Sequence, residues 1–315
     1  MKPPLIVLSG PTAVGKTKLS LSLAKAVGGE IVSADSMQVY QYMDIGSAKI
    51  RPEEMDYVPH HLVDVLDPRE EFHIVRFQEM AKEAMKGIYQ RGKIPILTGG
   101  TGFYIQAVTK DIDFTASHGD ESYRQKLEAL ANEQGPEVLH QRLAQVDPES
   151  AREIHANNVK RVIRALEFYE ENHRPISAHN RQQKEKESPY NLAYFVLTDD
   201  RAALYAQIDR RVDQMMAEGL VEEVRHLREM GCQKDMVSMQ GLGYKEILAY
   251  LDGEYPLEEA VRILKRDTRH FAKRQLTWFK REPEAIWLDK REFDHRDDAL
   301  LHKMLEICTE RGIIK

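Results

Sequence analysis

The run Gly10-Pro11-Thr12-Ala13-Val14-Gly15-Lys16-Thr17 carries the most chemistry per residue in the chain. Its Gly-x-x-x-x-Gly-Lys-Thr spacing lets successive backbone N–H groups turn inward onto phosphate oxygens. Lys16 adds a point charge, and the Thr17 hydroxyl suits a phosphate-bound Mg²⁺. Such a loop calls for a di- or triphosphate, and does not say what is done with it. Asp35 closes the short apolar stretch Ile31-Val32-Ser33-Ala34, where a carboxylate can hold a cation, take a proton or cap the next helix. Ser36, Met37, Gln38 and Tyr40 follow at once, offering amide, hydroxyl and aromatic groups to the edge and face of a planar base. Gly99-Gly100-Thr101-Gly102 brings bare backbone and a hydroxyl to a turn where a hydrolysis-type NTPase would place a magnesium-binding Asp. Substrate positioning fits that turn better than a hydrolysis switch. Arg211 either clamps an anionic leaving group or makes a surface ion pair.

These groups need a parallel sheet to hold them. Leu5–Leu8, Ile31–Asp35, Pro59–Asp67, Ile94–Thr98 and Leu192–Leu197 read as strands, and the segments between them carry helical spacing. In such a sheet Asp35, the phosphate loop and the glycine-rich turn share the carboxyl edge, where ligands bind. The adjacent His60 and His61 lack the spacing of a helical metal pair and read as structural. From Asp113 to Pro189 the strands vanish and amphipathic helices run over 123–134, 135–146 and 148–172, a helical insertion bounded by the loops 115–120 and 182–189. Lys160, Arg161 and Arg164 cluster on one of its turns. A helix follows from Arg201 to Met216, with Arg211 off its Ile208, Val212, Met215 stripe. The last helix carries eight cations between Ala260 and Arg281 against one carboxylate, Asp267. Val261, Leu264, Thr268, Phe271, Gln275 and Phe279 mark its inward stripe, while Arg262, Arg266, Arg269 and Lys273 recur on another face, the spacing of a polyphosphate or RNA contact. Trp278 and Trp287 read as core aromatics.

The 315 residues, 42% of them hydrophobic, suffice for a large core and a smaller lobe. A net charge of −6 gives no global pull on polyanions, so any nucleic-acid surface must be a local patch. Two distant cysteines, Cys232 and Cys308, argue for a reducing, cytoplasmic setting and against zinc. No run reaches membrane-spanning length, and no apolar surface stripe is left over to pair two copies, so a monomer is expected.

Taken together, residues 10–17, Ala34-Asp-Ser-Met-Gln-Val-Tyr40 with Met43-Asp-Ile-Gly-Ser-Ala-Lys49, Gly99-Gly-Thr-Gly-Phe-Tyr104 and Arg269-His-Phe-Ala-Lys-Arg-Gln-Leu-Thr-Trp278 resemble the bacterial tRNA dimethylallyltransferases. The resemblance runs from the first strand almost to the C-terminus. It implies an α/β fold: a P-loop NTPase-like parallel sheet flanked by helices (1–112 and 190–315), with an inserted all-helical tRNA-binding domain (113–189). It implies transfer of a dimethylallyl group from its diphosphate to N6 of adenosine 37 in the anticodon stem-loop of tRNAs reading U-initial codons. Asp35 would be the proton acceptor, Thr101 a group beside the reacting centre, and Arg211 a helper on the diphosphate. The loop Gly10, Pro11, Thr12, Ala13, Val14, Gly15, Lys16, Thr17 would hold diphosphate and Mg²⁺. Ser36, Met37, Gln38, Arg124, Val159, Lys160, Arg161, Gln240, Gly243, Tyr244, Lys245, Lys273, Arg274 and Lys280 would touch tRNA. Asn158, where the family commonly has Asp, and Gln240-Gly-Leu-Gly243, often Gln-Ala-Ile-Gly, are departures confined to those RNA segments. The cysteine count excludes the zinc finger that eukaryotic relatives can add. A transferase acting on free AMP shares the loop and Asp35, and a small-molecule kinase would share the loop alone; the insertion and the basic helix favour tRNA.

Overall fold

A computed structural model of the chain describes residues 2–114 and 121–314. It divides into two compact units, Met1–Thr109 with Pro189–Lys315, and Lys110–Ser188.

The first unit is built on β1 (Pro4–Ser9), β2 (Glu30–Ser33), β3 (His60–His61), β4 (Pro95–Gly99), β5 (Asn191–Thr198) and β6 (Ala285–Asp289), paired in parallel in the order β3-β2-β4-β1-β5-β6. Helices α1 (Lys16–Val27), α2 (Ile74–Gln90) and α3 (Gly102–Thr109) alternate with the first strands. The second unit holds α4 (Glu121–Gln134), α5 (Pro136–Val146), α6 (Pro148–Glu153), α7 (Val159–Asn172) and α8 (Ile176–Glu185). The chain then adds α9 (Arg201–Glu218), α10 (Leu220–Glu229), α11 (Tyr244–Leu251), α12 (Leu257–Phe279) and α13 (Asp297–Glu310) to the first. Leu5, Ile6, Val7 and Leu8 of β1 are wholly buried, since side chains on both faces of a helix-covered parallel strand leave water. One face packs Leu5, Val7, Val32 and Leu97 with Phe77 and Tyr104; the other packs Ile6, Leu8, Ile31 and Ile96 with Leu19 and Leu23 of α1. Because β1 lies between β4 and β5, the chain reverses its direction of strand addition beside β1, and the loops leaving β1 and β4 splay apart there into a crevice.

Several expectations need correction. The strand expected over 59–67 joins β2 only at His60 and His61, because Leu62 and Asp64 take left-handed φ of 62° and 59°, which turn the chain out of that ladder; further on, Leu66 makes an isolated parallel bridge with Tyr40. The expected helix over 148–172 breaks at Ile154–Asn158 into α6 and α7. Asp147 caps α6 by accepting from the Ser150 N–H at 3.0 Å, and also accepts from the Ser177 N–H at 2.9 Å in α8, a helix occupying part of the stretch read as a loop. Trp287, read as a core aromatic, does pack against the core, though from β6 opposite Val196 and only partly buried. The other expected boundary loop, 115–120, lies outside the described residues. The core of the second unit is Leu127, Leu139, Leu143, Val162, Ile163 and Leu166. Among the described residues no helix is long and apolar enough to cross a membrane.

Candidate active site

The loop from Gly10 to Gly15 joins β1 to α1. Gly15 sits at φ 100°, a left-handed geometry that glycine adopts without strain. Among the described residues no side chain caps α1, and no acid occupies its first turn, so its leading N–H groups remain available to an anion. Thr17 is exposed at that turn. Lys16 curls back and donates to the carbonyls of Gly10 (2.9 Å) and Pro11 (2.7 Å). Burial lowers the Lys16 ammonium to about 7; Arg211 adds to the fall and Asp35 opposes it. A neutral amine must regain a proton to serve a bound anion. Affinity for inorganic pyrophosphate is therefore expected to fall as pH rises above 7, by up to about tenfold per unit. Calorimetric titration should show a shallower decline for Lys16→Arg, pyrophosphate's own ionisation being common to both proteins.

Asp35 lies just past the end of β2 and lines one cavity with Lys16, Thr17 and Arg211. Its Oδ1 accepts from the N–H groups of Met37 (2.9 Å) and Gln38 (3.4 Å). The carboxylate thus holds its own turn with one oxygen. Thr101 stands at the start of α3, its N–H 3.3 Å from the carbonyl of Ala34, the residue before Asp35. This bond ties the turn after β4 to the one after β2. Arg211 comes from α9; its Nη1 lies 3.5 Å from the Thr12 hydroxyl, and among the described residues it makes no ion pair. The surface-pair reading of Arg211 is thereby replaced by a cavity one. Burial works against its charge and Asp35 supports it.

Three further residues meet here that motif reading did not single out for this site. Gln275 of α12 accepts from Thr12 N–H and donates to the Gly100 carbonyl, each at 2.9 Å; the one signal was a polar residue in an apolar stripe. Lys290, after β6, donates to the Val14 carbonyl at 3.4 Å, and no local pattern marks it. His60, expected to be structural, lines the cavity with Nδ1 2.8 Å from the Val58 carbonyl, which places the proton on Nδ1. Burial lowers its pKa. His61 does play the structural part, at 2.8 Å from Glu30, which Arg91 also holds.

The residues proposed to touch RNA separate by exposure. Gln38 spends its amide within its own loop, donating to Ser47 and Ala48 carbonyls and accepting from Ser33. Met37 packs on Gly241, where a Cβ would come within 2.6 Å of its sulfur, so the 36–38 and 240–245 segments adjoin. Ser36 is partly exposed and Gln240 exposed, the latter bonded to the Lys234 carbonyl. Tyr244 is fully buried, its hydroxyl donating to Glu223 at 2.8 Å, and Gly243 is buried too; their side of the segment supports it and offers no RNA surface. Lys245 lies 3.5 Å from Glu246. In the second unit Arg124 grips the buried Glu167 through two 2.8 Å bonds, and Val159 packs on the core, while Lys160 and Arg161 are exposed.

The charge on α12 also needs revision. Lys265 and Arg269 pair with Asp213 and Asp209 of α9, Arg262 pairs with Glu259, and Arg266 with Asp267. Only the far end keeps cations without a carboxylate among the described residues: Lys273, Arg274, Lys280 and Arg281, all exposed. Arg274 lies over the Phe271 ring at 5.8 Å. Trp278 packs against the core and lays its ring over Gly102, where a Cβ would collide with it; its Nε1 is buried without a hydrogen-bond partner among the described residues.

Comparison with known proteins matches residues 38–282 to the family model described as IPP transferase, and residues 3–64 to one described as isopentenyl transferase. The chain is 60% identical over 312 residues, covering 99% of both chains, to a tRNA dimethylallyltransferase of Lachnoclostridium phytofermentans. The crystal structure of the tRNA isopentenylpyrophosphate transferase of Bacillus halodurans is similar at 45% identity, with a TM-score of 0.74 over 99% of this chain and 98% of that one. A eukaryotic dimethylallyltransferase captured acting on tRNA is similar at 31% identity and a TM-score of 0.77, over 91% of this chain and 74% of that one.

Proposed function

This chain belongs to the IPP transferase family, and we propose that it moves a dimethylallyl group from dimethylallyl diphosphate to N6 of adenosine 37 in tRNAs reading U-initial codons. The observation that carries the reading is the single cavity in which a carboxylate, Asp35, faces the anion-binding end of α1 with Lys16, Thr17 and Arg211 around it.

The exocyclic amine of adenine is a weak nucleophile because its lone pair is conjugated with the ring. Help must come at both ends of the new bond. As N6 attacks the allylic C1, the C1–O bond breaks and its electron pair leaves with diphosphate. The amine proton passes to the Asp35 carboxylate, whose outer oxygen is not needed for the turn. Charge growing on the departing diphosphate meets the α1 N–H groups, Lys16 and Arg211, which stabilise it more in the transition state than in the ground state. Thr17 fits a divalent ion carried in with the donor, since the residue is exposed at the first turn and the donor's own oxygens and water would complete the shell. When bound, Mg²⁺ would neutralise part of the diphosphate charge. Thr101, tied to the backbone beside Asp35, would orient the acceptor. The adenine must leave its stack to enter, a cost of a few kcal/mol that contacts to RNA offset. We also read the chain as a cytoplasmic monomer; its thiols Cys232 and Cys308 are free and buried, in keeping with a reducing compartment.

Incubation with dimethylallyl diphosphate, Mg²⁺ and an unmodified tRNA reading U-initial codons should yield N6-dimethylallyladenosine at position 37. AMP offered in its place tests the free-nucleotide alternative; absence of tRNA product under saturating conditions overturns the proposal. At the RNA face, Lys273→Ala and Arg274→Ala should each weaken tRNA binding several-fold and flatten the dependence of log K on log salt by roughly one unit. Arg262→Ala, already matched by Glu259, should change neither in filter-binding titrations.

A further inference from the structure

Gln275 is 6% exposed, and both ends of its amide are committed across two loops. Oε1 accepts from the Thr12 N–H within the phosphate loop, and Nε2 donates to the carbonyl of Gly100, the residue before Thr101. The β1–β4 ladder stops at Ser9 and Gly99. Beyond it, no backbone hydrogen bond among the described residues joins the two loops. The fit around the amide is close: a Cβ on Gly100 would collide with Nε2. Thr12 is also the residue that Arg211 approaches, so a shift of this loop would move two of the groups around the donor.

We infer that Gln275 is a positioning residue for the transfer reaction, setting the phosphate loop against the turn that carries Thr101. This rests on the reading of the loop as the diphosphate site. The chemistry is specific to an amide, because one atom must accept and the other must donate. An ionised glutamate presents oxygen to the Gly100 carbonyl and repels it; a protonated one restores both bonds. A methionine of similar length makes neither, and leaves the partly buried Thr12 N–H and the buried Gly100 C=O unpaired.

The test uses Gln275→Glu and Gln275→Met in the full chain, with wild type in parallel. Both should raise the KM for dimethylallyl diphosphate about tenfold, loosen inorganic pyrophosphate equally in calorimetry without RNA, and keep tRNA affinity within about twofold. The deficit of the glutamate variant should shrink from about pH 8 to about pH 6 as its carboxyl protonates, while that of the methionine variant stays. A merely structural residue would give no such difference. Wild-type donor KM and pyrophosphate affinity in both variants overturn the inference, as does a loss confined to glutamate, which would trace to its charge, or a glutamate deficit that no lowering of pH relieves. Where either variant fails to fold, Gly100→Ala presses on the same amide and should loosen pyrophosphate alike; unchanged affinity there counts against the role. If wild type transfers no prenyl group yet pyrophosphate binding responds as stated, the proposed reaction fails and the positioning role stands.

Discussion

Asparagine in place of Asp35 is expected to slow prenyl transfer by about a hundredfold or more while tRNA affinity stays within about twofold. The reason lies in how the carboxylate divides its oxygens. Oδ1 accepts from Met37 and Gln38 and so shapes the segment that follows β2. Asparagine can keep that oxygen in place, so the 36–38 turn survives; its NH₂ cannot take the proton that N6 must lose. Alanine removes the turn bonds as well, and the gap between the two variants measures what the turn contributes. Single-turnover rates at saturating donor and tRNA isolate the chemical step, and filter binding reads the affinity. An affinity collapse with an unchanged saturated rate would make Asp35 a binding residue and remove it from proton transfer.

Lys16→Met should lower kcat/KM for the donor by about 10²- to 10³-fold, the cost of deleting one well-placed group that meets charge developing in a transition state. Methionine keeps much of the stem and none of the charge. Two effects separate in the data. Loss of ground-state attraction raises the donor KM, while loss of help to departing diphosphate lowers kcat. The side chain also bridges the Gly10 and Pro11 carbonyls, so thermal unfolding should accompany the kinetics to show that the loop persists. Steady-state measurements with donor varied at saturating tRNA decide it; unchanged kcat and KM would mean that diphosphate is held elsewhere.

What could be read from the chain, and what could not, follows the distance over which each feature is encoded. The phosphate loop and Asp35 are written within a few residues of the strands that present them, and they meet in one cavity. Strand β3 reads longer than it is because apolar residues (Leu62, Val63, Val65, Leu66) continue past His61, whereas the chain turns on left-handed Leu62 and Asp64. Strand β6 and helix α13 follow the helix taken as the last one, and Ala285–Asp289 shows itself as a strand only beside β5, from which some ninety residues separate it. Gln275 is legible as an oddity in an apolar stripe, but its partners lie 263 and 175 residues away. The charge on α12 looks larger in the sequence than it is for the same reason: Asp209 and Asp213 belong to another helix, and only tertiary packing brings them to Arg269 and Lys265.

That uneven cancellation sets the size of the grip. At 1.5 Å of rise per residue, the stretch from Lys273 to Arg281 is roughly 12 Å long. On the function proposed above, a helix that looks in the sequence like a rod able to track a strand would be a short clasp, with reach for a few consecutive phosphates. Such a clasp would seize a loop of RNA without telling one loop from another, so on that proposal the choice among tRNAs would fall to groups that read bases.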